Sequence, residues 1–253
     1  MPRAPFAAQD LTELVAAVTP AVVGVGSHQP LQQPPSRYRG TGFVVGDGNY
    51  CATNAHVVSA ENDIRALMPG LAIFVPNAGH PETRVAHVVL RDEDHDLVLL
   101  RFEGAPLPAL ELGGAGTVRP GLGIALTGFP LGPHIGLIPA THVGIVSAVG
   151  PIATPVADGK QLDARQIRLS REPFEIYQLD ATAFPGNSGS PVYETAGGRV
   201  VGVVNKVFVG DVKEKAITAP SGITYAVPVA HLQALLRRAE GGERESEAAV
   251  KKR

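Results

Sequence analysis

A serine, a histidine and an aspartate lie in the three segments of this chain best suited to chemistry. Ser188 lies within GNSGSP (186–191), His56 within TNAHV (53–57), and Asp96 directly before the apolar run LVLL (97–100). A serine hydroxyl becomes a nucleophile when a neighbouring base removes its proton, and imidazole suits that role because its pKa lies near neutral pH. An aspartate can fix the tautomer of the imidazole and stabilise the imidazolium that forms. Together these residue types predict acyl transfer through a covalent intermediate.

The order of the three residues along the chain is informative about the fold. Unrelated folds place the same chemical roles in different orders: Ser, Asp, His in α/β-hydrolases; Asp, His, Ser in subtilisin-type enzymes; and His, Asp, Ser in chymotrypsin-type enzymes. This chain has the third order, and residue 190 is a serine, so the Gly-x-Ser-x-Gly pattern of α/β-hydrolases is absent at 186–190. The order therefore favours a chymotrypsin-type arrangement over an esterase of another fold.

Two other aspartates and seven other histidines compete for the acid and base roles. Asp92 and Asp94 lie in a polar run at 91–95, where exposure to solvent explains their charges. Asp96 adjoins a buried strand, where a carboxylate is held rigidly and is partly desolvated, and only His56 has the TNAHV context. We therefore predict His56 as the base, Asp96 as the orienting acid and Ser188 as the nucleophile.

The glycine two residues before Ser188 has a predicted role of its own. Gly186 lacks a side chain, so the backbone can turn there and direct its N–H into the site. With the N–H of Ser188, it would form an oxyanion hole. Taken alone, GNSG also fits a polar turn, but His56 and Asp96 in this order favour the catalytic interpretation.

Composition and strand patterning predict an all-β protein of two six-stranded antiparallel β-barrels, with short helices at the N- and C-terminal ends. The chain has 253 residues, 44% of them hydrophobic, with 29 Gly and 22 Pro, which suits short strands joined by many turns. Short runs rich in Val and Ile and bounded by turn residues are predicted strands. These are 21–26, 42–46, 50–54, 71–75, 84–90, 96–102, 123–128, 142–148, 175–180, 199–207 and 223–227.

The ends of the chain differ from this pattern. Asp10 followed by Glu13 resembles a capping box, and predicts a helix over Leu11–Val18. A second helix is expected after Pro228, with Val229, Leu232, Leu235 and Leu236 on one face. We expect an N-terminal helical segment at 1–20, a catalytic domain at 21–239 and a charged, frayed tail at 240–253. Residues 27–39 and 151–174 are predicted surface loops.

Charge and hydropathy exclude several classes of function. The net charge of −2 does not predict a nucleic-acid partner, and no apolar run approaches the roughly 18 residues of a membrane span. No signal-like segment stands at the N-terminus, so we expect a cytoplasmic protein, or a periplasmic or secreted one if a signal has been removed. Cys51 is the single cysteine, which rules out an intrachain disulfide and predicts a small buried residue. No metal or cofactor constellation is apparent.

From about Leu14 to Pro228, the chain resembles the trypsin-like serine proteases and, among them, the HtrA/Deg group. The resemblance rests on segments around the three predicted catalytic residues and on later strands. These are 40–44, 53–58, 96–100, 144–148, 180–181, 185–189, 201–205 and 225–228. It implies a serine endopeptidase acting on polypeptides, with a role in protein quality control, and a homo-oligomer, often a trimer. The alternative is a latent or non-enzymatic protein-binding or chaperone module on the same fold.

The resemblance also implies a specificity pocket. It assigns the P1 pocket to Thr182 and to the segment Asn205, Lys206, Val207 and Phe208. No acid stands at 182, which argues against cleavage after Lys or Arg, and no histidine stands at 203–205, which argues against cleavage after Glu. We expect a small or medium apolar P1 residue. Because about 17 residues follow Leu236, we do not carry over the regulatory PDZ domain of the group.

Overall fold

Two closed β-barrels make up most of the structure, a computed structural model that describes residues 10–60, 63–77, 80–114, 116, 118–132, 136–151, 173–205 and 223–250. The first barrel contains six strands, paired in the order β1-β2-β3-β8-β7-β6. They are β1 (Val22–His28), β2 (Ser36–Val45), β3 (Tyr50–Asn54), β6 (Leu71–Val75), β7 (Glu82–Asp92) and β8 (Leu97–Phe102). Antiparallel pairing of β1 with β6 closes it.

The second barrel repeats this architecture, with strand order β10-β11-β14-β13-β12-β9. Its strands are β9 (Gly123–Gly128), β10 (Ala140–Pro151), β11 (Glu175–Asp180), β12 (Pro191–Glu194), β13 (Val200–Asn205) and β14 (Ile223–Pro228). Strands β4 (Ser59–Ala60) and β5 (Asp63–Leu67) form a separate two-stranded sheet. The predicted fold, two six-stranded antiparallel barrels with few helices, is confirmed.

Each barrel has its own apolar interior, and a third cluster lies between the barrels. Alternation along β1 explains the division, because successive side chains of a strand point to opposite faces. Val23 and Val25 pack in the first barrel with Cys51, whereas Val22 joins the cluster between the barrels. Burial raises the pKa of the Cys51 thiol, which is fully buried as predicted.

The described part of the chain also contains the α-helices α1 (Leu11–Val18), α2, a single turn (Ala55–Val58), and α3 (Val229–Val250), with a short 3₁₀ helix (Thr19–Ala21) directly after α1. The side chain of Asp10 accepts a hydrogen bond from the Thr12 amide, capping α1 as its sequence predicts. Val229, Leu232 and Leu235 of α3 are buried against the barrels. Within these described elements, no helix has the length and apolar character needed to span a membrane.

Several predicted boundaries differ from the structure. β2 begins at Ser36, inside the loop expected at 27–39, because this polar stretch pairs with β1 and Tyr38 packs on Phe74 at 4.6 Å between ring centroids. The four-residue β12 was not predicted, since it starts at Pro191, the last residue of the nucleophile segment GNSGSP. α3 continues to Val250 through the tail expected at 240–253, because Glu, Arg and Ala are good helix formers.

The start of α3 is attached to the β7–β8 turn through stacked aromatic rings. The imidazoles of His231 and His95 lie 3.6 Å apart between centroids, and the Phe174 ring lies 4.5 Å from His95. His95 Nδ1 lies 2.7 Å from Asp92 Oδ2. Burial, with a smaller contribution from the nearby His95, lowers the pKa of His231 to about 4. The packing of the three rings therefore favours the neutral form of the His231 imidazole.

This stack predicts that acidification destabilises the protein. An unfolded histidine has a pKa near 6.5, so below that pH the unfolded state binds more protons than the folded state. The stabilisation that the neutral His231 ring contributes to the folded state is complete above about pH 6.5 and is lost as the pH falls towards 4. Because the His231 ring is partly exposed, we expect its contribution to the free energy of unfolding to be about 1–2 kcal/mol. In urea unfolding at pH 7, 6 and 5, the free energy of unfolding should fall less with decreasing pH in His231→Phe than in wild type. The control is His80→Gln, which replaces an exposed histidine. Equal dependence of the free energy of unfolding on pH in wild type and His231→Phe would contradict the role given to His231.

Candidate active site

The first barrel brings His56 and Asp96 together by two direct contacts. His56 lies in α2, the turn that follows β3, and Asp96 lies in the turn between β7 and β8. The His56 amide donates to Asp96 Oδ1 at 2.9 Å, and His56 Nδ1 lies 2.6 Å from Asp96 Oδ2. Because a carboxylate only accepts, Nδ1 carries the proton and Nε2 is left as the basic nitrogen.

Asp96 is held through its backbone as well as its carboxylate. Its residue exposure is 1%, and its φ of 54° lies in the left-handed region, which Asp tolerates better than most residues. The Asp96 carbonyl accepts hydrogen bonds from the Ala55 amide and the Asn54 side chain, each at 3.1 Å. The turn therefore fixes the carboxylate and the backbone leading to His56 in one unit.

The second barrel contributes another donor to the same carboxylate. Asn205, the last residue of β13, donates from Nδ2 to Asp96 Oδ2 at 2.9 Å and is 1% exposed. The Asn205 side chain is thus directed at Asp96, and the place of Asn205 in the P1 pocket stays a prediction. The sequence shows only that a polar residue ends a buried strand there, and this pattern does not identify Asp96 as its partner.

The structure separates the competing acids. Asp92 bonds to His95 with the same pattern, from the His95 amide to Oδ1 at 3.1 Å and from Nδ1 to Oδ2 at 2.7 Å. Its side chain is 24% exposed, however, against 1% for Asp96. The described residues thus contain two His–Asp pairs whose aspartates are four residues apart, and Asp96 is the one paired with His56.

Ser188 lies in the turn between β11 and β12, and the turn is anchored to both barrels. The Ser188 carbonyl accepts a hydrogen bond from the Thr41 amide of β2 at 2.9 Å, and the Gly189 amide donates to the Val204 carbonyl at 3.0 Å. Gly189 has φ 86°, and a Cβ there would overlap the Thr41 carbonyl oxygen. The glycine after Ser188 is therefore required by close packing between barrels.

Gly186 occupies a conformation that favours glycine. Its φ is 103°, and an added Cβ would overlap the carbonyl oxygen of Phe129. The preceding carbonyl, of Pro185, accepts a hydrogen bond from the Leu131 amide at 2.7 Å. In a trans peptide the C=O and N–H groups point in opposite directions, so the Gly186 N–H points away from Leu131.

The remaining predicted residues fall into two groups. Thr182 is half-buried two residues after β11 and four before Gly186. Lys206, Val207 and Phe208 lie outside the described residues. Sequence reasoning missed the side-chain roles of Thr41 and Asn205. Among the residues that the structure describes, no group of His, Cys, Asp and Glu side chains could hold a metal ion.

Comparison with known proteins identifies the family. The model of the trypsin-like peptidase domain matches residues 40–203, a span that contains His56, Asp96 and Ser188. The chain belongs to the trypsin-like peptidase family. The predicted resemblance to this family is confirmed.

Relatives of this trypsin-like chain include HtrA proteins. It is 29% identical to the mitochondrial serine protease HTRA2 of Bos taurus, over 91% of this chain and 43% of that protein. It is 28% identical to a probable periplasmic serine endoprotease, DegP-like, of Chlamydia trachomatis, over 81% of this chain and 35% of that protein. The chain thus spans less than half the length of these two relatives.

Solved structures support the same fold. The HtrA-type protease AlgW with a decapeptide superposes with a TM-score of 0.65 at 19% identity, covering 92% of this chain and 68% of that one. A variant of AlgW with a tripeptide gives a TM-score of 0.63 at 22% identity, covering 90% and 63%. The double-barrel architecture of this trypsin-like protein is therefore that of the HtrA-type proteases.

Proposed function

We propose that the protein is a serine endopeptidase that hydrolyses peptide bonds of polypeptides, with His56, Asp96 and Ser188 as its catalytic triad. The observation that carries the proposal is the double contact of the buried Asp96 carboxylate with the amide and Nδ1 of His56. This arrangement holds one imidazole tautomer, as general-base catalysis at a serine requires.

In the proposed reaction, His56 Nε2 removes the proton of Ser188 Oγ as that oxygen attacks the scissile carbonyl. The amides of Gly186 and Ser188 stabilise the oxyanion that develops. The imidazolium, stabilised by Asp96, then protonates the leaving amine as the C–N bond breaks, which leaves an acyl ester on Ser188. Water, activated by His56, hydrolyses the ester and restores the serine.

The proposed substrate class is supported by the family relationship. AlgW is described with bound peptides, and this chain shares its barrels, which supports polypeptide substrates. A role in protein quality control, with unfolded polypeptides as substrates, is part of the proposal. Assembly into a trimer and a cytoplasmic location stay predictions.

Labelling with a fluorophosphonate probe tests the proposal. The probe is expected to modify wild-type protein at Ser188, located by peptide mass spectrometry, and casein is expected to be cleaved. His56→Ala should abolish both reactions while circular dichroism shows an intact fold. A folded wild-type protein that binds casein, but neither cleaves it nor reacts with the probe, would support the non-enzymatic binding module instead.

A peptide library tests the proposed P1 specificity. With Thr182 in the pocket, we expect cleavage after small or medium apolar residues. Lys or Arg at P1 should be cleaved at least about tenfold more slowly, because a buried cation would lack a partner. The variant Thr182→Asp supplies such a partner and should move the preference towards Lys and Arg. Cleavage by wild type mainly after Lys or Arg would contradict the assignment.

A further inference from the structure

One threonine of the first barrel is hydrogen-bonded to the nucleophile turn and to two other segments, at Phe129 and Thr53. Thr41 of β2 is fully buried, and its amide donates to the Ser188 carbonyl at 2.9 Å. Its hydroxyl lies 2.7 Å from the Gly186 carbonyl and 3.1 Å from the Phe129 amide. Its carbonyl accepts from the Thr53 hydroxyl at 2.6 Å. These four hydrogen bonds pair the amide, the hydroxyl and the carbonyl of the buried Thr41 with other protein groups.

The chemistry of its partners fixes the direction of the Thr41 hydroxyl. The Phe129 amide can only donate, and the Gly186 carbonyl can only accept. The hydroxyl oxygen therefore accepts from Phe129, and its proton is donated to Gly186. A group that accepts and donates at this point must be a hydroxyl, and a methyl group in its place could do neither.

The two peptide units that flank Gly186 are held by three hydrogen bonds, one of which runs from the Asn187 amide of the second unit to the Phe184 carbonyl at 3.0 Å. The unit before it is held at the Pro185 carbonyl by the Leu131 amide at 2.7 Å, and the unit after it at the Gly186 carbonyl by Thr41 at 2.7 Å. Glycine imposes little restraint of its own on φ and ψ, so its orientation depends on these partners. Thr41 and Leu131 belong to one network, because Phe129 and Leu131 lie in the same turn, closed from the Gly132 amide to the Phe129 carbonyl at 3.1 Å.

We propose that the Thr41 hydroxyl is a positioning group that holds the Gly186 backbone in the orientation in which its N–H stabilises the oxyanion. This inference rests on the proposed endopeptidase function. It also places the conformation of the nucleophile turn, a part of the second barrel, under the control of a residue in the first barrel. Relative movement of the two barrels would then change the oxyanion hole.

Thr41→Val and Thr41→Ser separate the hydroxyl from the volume of the side chain. Valine keeps the shape but leaves the Phe129 amide and the Gly186 carbonyl unpaired, whereas serine keeps the hydroxyl. Misplacement of a catalytic group by about 1 Å can cost about 100-fold in rate. We expect kcat for a peptide substrate to fall about 10- to 100-fold in Thr41→Val with KM changed less than about twofold. Thr41→Ser should restore most of the rate.

Two measurements distinguish positioning from a general loss of structure. A peptide boronic acid, which forms a tetrahedral adduct with the serine, should lose affinity in Thr41→Val in proportion to kcat. Thr127→Val is the matched control, since the Thr127 hydroxyl is equally buried and bonds to Thr141 at 2.8 Å and Tyr193 at 2.7 Å, within the second barrel. This control is expected to lower stability without changing kcat.

Amide hydrogen exchange over residues 184–189 tests the same contact without catalysis. Exchange should accelerate in Thr41→Val but not in Thr41→Ser or Thr127→Val. Wild-type kcat and wild-type exchange in Thr41→Val would overturn the inference and leave the proposed function standing. Absence of turnover in folded wild-type protein would overturn the proposed function, and with it the catalytic role of Thr41.

Discussion

Ser188→Ala is expected to lower kcat for peptide hydrolysis by about 10⁴- to 10⁶-fold while the protein stays folded. The variant removes one oxygen atom from a turn that is held by backbone hydrogen bonds. These bonds run from the Thr41 amide to the Ser188 carbonyl and from the Gly189 amide to the Val204 carbonyl, and neither of them uses the Ser188 hydroxyl. The double barrel should therefore be unaffected, and the acyl intermediate cannot form. Active-site titration and steady-state kinetics on a peptide substrate measure the effect.

A serine two residues away provides the matched control for this loss. Ser190 is fully buried, and its hydroxyl has no hydrogen-bond partner among the residues that the structure describes. Removing a buried unsatisfied hydroxyl is close to neutral or stabilising, so Ser190→Ala should keep wild-type kcat and unfold at the same or a slightly higher temperature. Loss of activity in Ser190→Ala with activity retained in Ser188→Ala would show that the nucleophile is misassigned.

Asp96→Asn is expected to lower kcat by about 10⁴-fold. The carboxylate accepts from the His56 amide at one oxygen and from His56 Nδ1 and Asn205 at the other. An amide in its place must direct its NH₂ group at one of these positions. Directed at the His56 backbone, it faces another donor; directed at Nδ1, it forces the proton onto Nε2, so the base is lost.

Asp92→Asn is the control for the Asp96 variant. Asp92 contacts His95 through the same two atoms by which Asp96 contacts His56, so both substitutions break a His–Asp pair. We expect Asp92→Asn to keep kcat within about threefold, since this pair is separate from the proposed triad. Denaturant unfolding of both variants separates folding from chemistry. Similar losses of kcat in the two would refute the assignment of Asp96 as the single orienting acid.

Local signals explain the parts of the site and fold that were predictable from the sequence. Glycines beside Ser188, the TNAHV context of His56 and the apolar run after Asp96 are each contained in a few neighbouring residues. The chain order of the three then favours one fold among the known alternatives. Short strands bounded by turn residues, and Asp10 at the start of α1, are likewise local patterns.

Other features depend on contacts between distant segments. The Asn205–Asp96 hydrogen bond joins residues 109 positions apart, and the bond from Thr41 to Gly186 spans 145. The Asp92–His95 pair is local, yet its stack on His231 depends on where α3 packs. No local pattern marks such partners, because a polar side chain at the end of a strand is compatible with solvent, a pocket or a buried acceptor.

The sequence by itself determined the residue types of the site, their order and the double-barrel class, since these follow from local composition and spacing. Tertiary structure alone decided where the side chain of Asn205 points and what holds the Gly186 backbone. The physical reason is that a buried polar group must find a partner, and closure of the two barrels against each other decides which groups come within hydrogen-bonding distance.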